Sequence, residues 1–149
     1  MTDEQELWDL VASRREGVLA TIARDGTPQL SNVLYVVGPA SRMVRISTTD
    51  DRAKARNLAR DPRASMHVAG DNFWQYAVMT GAVSLSAVAA TPGDAATDEL
   101  LLVHSGFYGS LKRPGFDEEM VARRRLVVRL HAERLHGLIR PGRRPVARS

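Results

Sequence analysis

Gly17-Val18-Leu19-Ala20-Thr21-Ile22 runs into Arg24-Asp25-Gly26-Thr27, and the chain returns through Pro28-Gln29-Leu30-Ser31-Asn32-Val33 to Val37. Two β-prone runs flank an Asp-Gly pair, which is the composition of a hairpin turn. Gln29, Ser31 and Asn32 interrupt the apolar return strand. Gln29 and Ser31, two residues apart, fit a solvent-facing side. Asn32 shares its side with Leu30 and Leu34 and is expected to face inward. Amide and hydroxyl groups placed there both donate and accept, so they suit the polar edge of a pyrimidine-like ring.

Upstream, Thr2 with Gln5 resembles a capping box, and Leu7, Trp8, Leu10 and Val11 recur at helical spacing, which predicts a helix over 3–13. Downstream, Gly38-Pro39-Ala40-Ser41 turns and Met43 to Thr49 is a third strand. The period changes at Asp50. Asp50 or Asp51 is expected to cap a helix that Asp61-Pro62 ends after Arg60. Strands are predicted over 64–68 and 73–85, the second with a bulge or close approach at Thr80-Gly81. A connector holding Pro92-Gly93 leads to a helix over 94–107, a loop, a short helix over 116–123, and strands over 126–131 and 134–139. Mostly antiparallel strands with helices packed outside point to an α+β fold, a small β-barrel in a single domain over 1–139. Residues 140–149 read as a basic tail expected to be disordered.

The 149 residues suit one domain, and 44% hydrophobic composition supplies one core without a staple. The absence of cysteine excludes disulfides, thiolate metal sites and cysteine nucleophiles. His67, His104, His131 and His136 show no metal-ligand spacing, so each is expected to be structural or at the surface, with no metal site. Nucleophile-elbow, phosphate-loop and dinucleotide-loop motifs are absent as well, and no catalytic residue is assigned. The polar, acidic start does not read as a secretory signal, and no apolar run reaches membrane length, so a cytoplasmic protein is expected. The net charge is +4, and only Lys54 and Lys112 are lysines. A basic tail without a recognition helix or stacking motif does not predict nucleic-acid binding.

Ile46-Ser47-Thr48-Thr49-Asp50-Asp51-Arg52-Ala53-Lys54 is the segment richest in chemistry. Three hydroxyls at a strand end precede a helix start carrying Arg52 and Lys54. Free N–H groups, hydroxyls, a guanidinium and an ammonium make an anion site. The residues alone leave another reading open, in which Asp50 and Asp51 cap the helix and pair with the cations on a solvated surface. Asn72-Phe73-Trp74-Gln75-Tyr76 likewise suits stacking on a planar ligand or packing in a core or dimer interface.

Taken in order, these segments resemble the split β-barrel flavin and deazaflavin oxidoreductases, the pyridoxamine 5'-phosphate oxidase-like family. The likeness rests on the hairpin above, on Arg52-Ala53-Lys54-Ala55-Arg56-Asn57-Leu58 followed by Asp61-Pro62-Arg63-Ala64-Ser65, on Trp74-Gln75-Tyr76-Ala77-Val78 with Gly81, and on His136-Gly137-Leu138. It is nearest to the F420-dependent branch that includes biliverdin reductases. It implies a homodimeric antiparallel split barrel with peripheral helices and two sites at the dimer interface. It implies that Arg52 and Lys54, with Ala53, Ser47 and Thr48, hold a cofactor phosphate. Gln29, Ser31 and Asn32 would line the ring, and Trp74 and Tyr76 the site wall. The implied cofactor is coenzyme F420, with FMN as the alternative, and the implied reaction is hydride transfer to a small planar, conjugated acceptor. A non-catalytic F420 carrier is the other alternative. Arg134-Leu135-His136-Gly137-Leu138 lacks the family's C-terminal Arg-containing substrate signature, so pyridoxamine phosphate is not the expected substrate.

Overall fold

A computed structural model describes residues 3–38 and 41–139. The chain runs α1 (Glu4–Ser13), β1 (Glu16–Ile22), β2 (Pro28–Leu34), β3 (Val36–Val37), β4 (Met43–Thr49), α2 (Ala53–Arg60), β5 (Arg63–Ala69), β6 (Tyr76–Leu85), α3 (Ala95–Tyr108), α4 (Phe116–Ala122), β7 (Arg125–His131) and β8 (Arg134–Leu138). The expected hairpin forms, with Gly17 opposite Val33 and Ile22 opposite Pro28. Gly26 takes the positive φ, 86°, that its turn requires.

Hydrogen-bonded neighbours follow the order β2-β1-β5-β6-β7-β4-β3, all antiparallel, and β8 pairs with β6. β2 lies against β4 with no ladder between them, so the barrel is split there. Tyr35 carries the chain across the split, from β2 on β1 to β3 on β4. Its N–H donates to Arg15 O at 2.8 Å and its phenol donates to Val11 O at 2.6 Å. Burial pushes the phenol pKa well above its ordinary value, so it stays a donor.

β6 is the hub, with β5 on one edge and β8 and then β7 on the other. The close approach expected at Thr80-Gly81 is present: a Cβ on Gly81 would lie 1.8 Å from the His131 carbonyl oxygen. Only glycine lets β6 pass from one partner to the next.

One core fills the barrel, where Leu19, Tyr35, Ile46, Met66 and Met79 meet Leu7 and Val11 of α1. A second lies outside it, where Leu100, Val103 and Met120 of α3 and α4 cover Val127. β7 is therefore buried on both faces, which explains its unbroken apolar run from Leu126 to Val128. Among the described residues no helix is long and apolar enough to cross a membrane.

Four expectations need correction. α1 is capped by Asp3, whose side chain accepts from Glu6 N–H; Thr2 and residues 140–149 lie outside the described residues. α2 is capped by neither aspartate: Arg52 occupies the cap position without a side-chain bond. Asp50 instead pairs with Arg124 at 2.7 Å, and Asp51 accepts from the Thr49 hydroxyl. The strand expected from Phe73 begins at Tyr76, because Gly70 N–H to Gln75 O and Gln75 N–H to Asn72 O close a turn over the aromatic pair. Finally, β2 presents Leu30, Asn32 and Leu34 outward, whereas Gln29 and Ser31 are partly covered and Val33 is buried. Alternation defines two faces of a strand but not which one is covered.

Candidate functional site

Strand alternation places Arg45, Ser47 and Thr49 on one side of β4, while Ile46 and Thr48 are buried on the other. α3 covers the Ser47 side. It is docked by Glu99, which bonds Arg45 at 2.8 Å and Arg129 at 2.6 and 2.7 Å. That docking brings His104 to the Ser47 hydroxyl, with Nε2 at 3.0 Å. Arg125, diagonal to Ser47 across the ladder, donates Nη1–H to the same Oγ at 3.0 Å.

Lys54, in the first turn of α2, borders the same cavity of about 210 Å³ with Asn32, Val33 and Leu34 of β2 and Phe107 and Tyr108 of α3. Among the described residues neither Lys54 nor Arg125 has a carboxylate within ion-pair distance. Glu119, the acid that acts on Arg125, is held by Arg123 at 3.2 Å. Among the described residues the buried Arg125 Nε has no hydrogen-bond partner. Burial, then Arg52 and Arg125, lower the Lys54 pKa. Burial, then Arg123, lower that of Arg125. Burial, then Arg125, lower that of His104, so its neutral form is favoured. Uncompensated half-buried cations with a free guanidinium donor form a cavity suited to an anion.

Of the residues expected at the site, the structure gathers Asn32, Ser47 and Lys54. Arg52 is exposed at the α2 cap position and acts on Lys54 through its charge, with Ala53 exposed beside it. Thr48 is buried on the barrel side of β4, away from the Ser47 hydroxyl. Gln29 Oε1 accepts from Asn57 Nδ2 at 2.7 Å, in a network with Thr21. Ser31 is on the same face of β2 as Gln29. Trp74 packs edge-on against Phe73 in the β5–β6 turn, ring centroids 5.0 Å apart. Tyr76 stacks on His67 at 5.4 Å and 9°.

A second cavity, of about 840 Å³, lies across β2 and is lined by Arg14, Gly17, Val18 and His67. The two cavities share Asn32, Val33 and Leu34, so one strand end borders both. Of these, Asn32 and Leu34 are on the outward face of β2. Tyr76 stacks on His67, which lines the larger one.

His104 and Arg125 were not singled out in the sequence. They lie 57 and 78 residues from Ser47, and no local motif joins them. The available signal was indirect: His104 is the one basic residue in the apolar helix 95–108.

Among solved structures, the fold is similar to conserved hypothetical protein Rv2991 from Mycobacterium tuberculosis, at 28% identity and TM-score 0.71, over 93% of this chain and 85% of that one. It is also similar to an F420 reductase, at 24% identity and TM-score 0.66, over 86% and 94% of the two chains. A heme binding protein from Mycobacterium smegmatis matches at 23% identity and TM-score 0.59, over 87% of this chain and 50% of that one. The family model described as pyridoxamine 5'-phosphate oxidase matches residues 3–138, so the chain belongs to that family.

Proposed function

We propose that this chain is an oxidoreductase that binds the phosphate of a deazaflavin or flavin cofactor in the cavity between β2, β4 and α3. Coenzyme F420 is the preferred ligand and FMN the alternative. One observation carries the reading: among the described residues, the half-buried cations Lys54 and Arg125 have no carboxylate within ion-pair distance, and the buried Arg125 Nε has no hydrogen-bond partner. Such groups are costly in the empty protein and favourable beside an anion. The preference for F420 rests on its tail, whose carboxylates suit a chain of net charge +4 with Arg52 exposed beside Lys54.

In this reading Lys54, Arg125 and Ser47 hold the phosphate. Asn32 meets the polar edge of the ring along β2, and Phe107 and Tyr108 exclude water from the phosphate end. The bound cofactor supplies the hydride chemistry; the chain supplies binding, orientation and charge. The larger cavity beyond Asn32 leaves room for a planar, conjugated acceptor. A second copy of the chain completes the site, covering the outward β2 face, where Leu30 is 67% and Leu34 44% exposed. Gln29 and Thr48 support the site from behind rather than touching the ligand, because their side chains are turned into the protein.

The test is a fluorescence or calorimetric titration of the purified protein with F420 and with FMN. Saturable binding that weakens at least tenfold in Lys54→Ala and Arg125→Ala supports the reading. Failure of both cofactors to bind overturns it. Turnover with candidate acceptors then separates an enzyme from a carrier.

A further inference from the structure

We propose that His104 takes up a proton as the phosphate enters, and that this proton favours a phosphodiester over a phosphomonoester as the pH falls. The inference rests on the phosphate site proposed above and assigns a role to a residue outside the sequence motif.

The geometry is a three-membered chain. Arg125 Nη1–H donates to Ser47 Oγ at 3.0 Å, and Ser47 Oγ lies 3.0 Å from His104 Nε2. The groups acting on His104 come from every neighbouring element. Ser47 faces it from β4 and Arg125 from β7. Arg123 and Glu119 reach it from the α4 end, and Lys54 borders the same cavity from α2. Phe116 meets the imidazole edge-on at 5.3 Å, and Tyr108 of its own helix lies at 6.3 Å. With cations nearest, a neutral imidazole turns its Nε2 lone pair toward them and accepts the Ser47 hydroxyl proton. Its depressed proton affinity agrees with that state.

An anion between Lys54 and Arg125 reverses the local sign. The imidazolium is then stabilised, and a proton moves from solvent to Nε2. Nε2–H becomes the donor to Ser47 Oγ. The Ser47 hydroxyl proton, no longer held by nitrogen, turns into the cavity toward the phosphate. Each proton taken up therefore adds one positive charge and one donor to the site, with no bond made or broken in the ligand.

The two ester types respond differently. A phosphodiester keeps its single charge throughout, so its binding draws a proton from solvent. A phosphomonoester has a second pKa of about 6, so over the same range it loses charge as His104 gains it. The two effects oppose each other, and only the diester binds more tightly as the pH falls.

Calorimetry of the full-length protein with F420, and separately with FMN, in pairs of buffers of different ionisation heat tests this from about pH 8 to about pH 5.5. Proton uptake with F420, an affinity gain of about tenfold toward the acid end, and little gain for FMN are expected. In His104→Gln, which keeps a hydrogen-bonding group but does not titrate, the pH dependence disappears whatever the absolute affinity. F420 binding without proton uptake, or uptake that survives in His104→Gln, overturns the proposal and leaves the phosphate site standing. Failure of both cofactors to bind overturns the site assignment and the proposal with it.

Discussion

Glu99 grips Arg129 with both carboxylate oxygens, Oε2 to Nε at 2.7 Å and Oε1 to Nη2 at 2.6 Å. Arg45 is the direct cross-strand partner of Arg129, and it shares Oε2 at 2.8 Å. Without Glu99 two guanidinium groups would face each other across β4 and β7, with α3 released above them. The clamp therefore acts on the cavity as well as the fold, because α3 carries His104, Phe107 and Tyr108.

Replacing Glu99 by Ala is expected to lower stability by about 2–3 kcal/mol, less than a fully buried pair because all three groups keep some exposure. Urea denaturation measures it, and an unchanged midpoint would refute the clamp. Burial raises the Glu99 pKa, but hydrogen bonds from Arg129 and Arg45 outweigh it and hold the carboxyl below its ordinary value. A carboxylate depressed in the folded state stabilises fully above its unfolded pKa, and that contribution fades as the pH falls through the folded value. The gap between wild type and Glu99→Ala is thus expected to be full at neutral pH and to close below about pH 4.

Lys54→Met separates binding from stability. The ammonium is half-buried near Arg52 and Arg125 with no acid partner among the described residues, so its removal relieves repulsion in the ligand-free protein. Thermal unfolding without ligand is expected to be unchanged or raised, by up to about 1 kcal/mol. Binding of F420 or FMN is expected to weaken about 10- to 100-fold, the worth of one charged hydrogen bond. Lost stability together with intact binding would mark Lys54 as structural.

Gly81→Ala tests the hub strand. The added methyl group would meet the His131 carbonyl oxygen 1.8 Å away, and the nearest atoms are all backbone of His131 and Glu133, so no flexible side chain can yield. A loss of about 3 kcal/mol or more, read as a lower melting temperature or as insoluble protein, is expected. Gly93→Ala has open space at its Cβ but a positive φ of 85°, so only the smaller strain of an alanine there is expected.

Leu30→Glu with Leu34→Lys probes the proposed second copy. Both side chains stand outward on the edge strand β2. Light scattering on the wild type is expected to give twice the monomer mass, and on the double variant the monomer mass. A wild-type monomer would remove this face from the proposed site.

Much of the architecture was legible because its signals are local. The Asp25-Gly26 turn needs only a glycine at positive φ, and α3 starts at Asp94 because that side chain reaches Thr97 N–H three residues on, at 2.8 Å. The hairpin order, the split-barrel class and the segment holding Ser47 and Lys54 all followed from such short-range chemistry and from resemblance. The aspartates beside Arg52 misled because each had a stronger partner than the helix start, one of them 74 residues away.

The sequence by itself determined which residues alternate, where the Asp25-Gly26 turn falls and where the helix at Asp94 begins, since these depend on neighbours a few positions apart. Only the tertiary structure decided which face of β2 is covered, that Trp74 sits on a turn, and that Arg125 and His104 converge on Ser47. The reason is physical. A strand's two faces are equivalent until something packs on one of them. A cation becomes a ligand-binding group only when folding buries it away from the acids that would neutralise it.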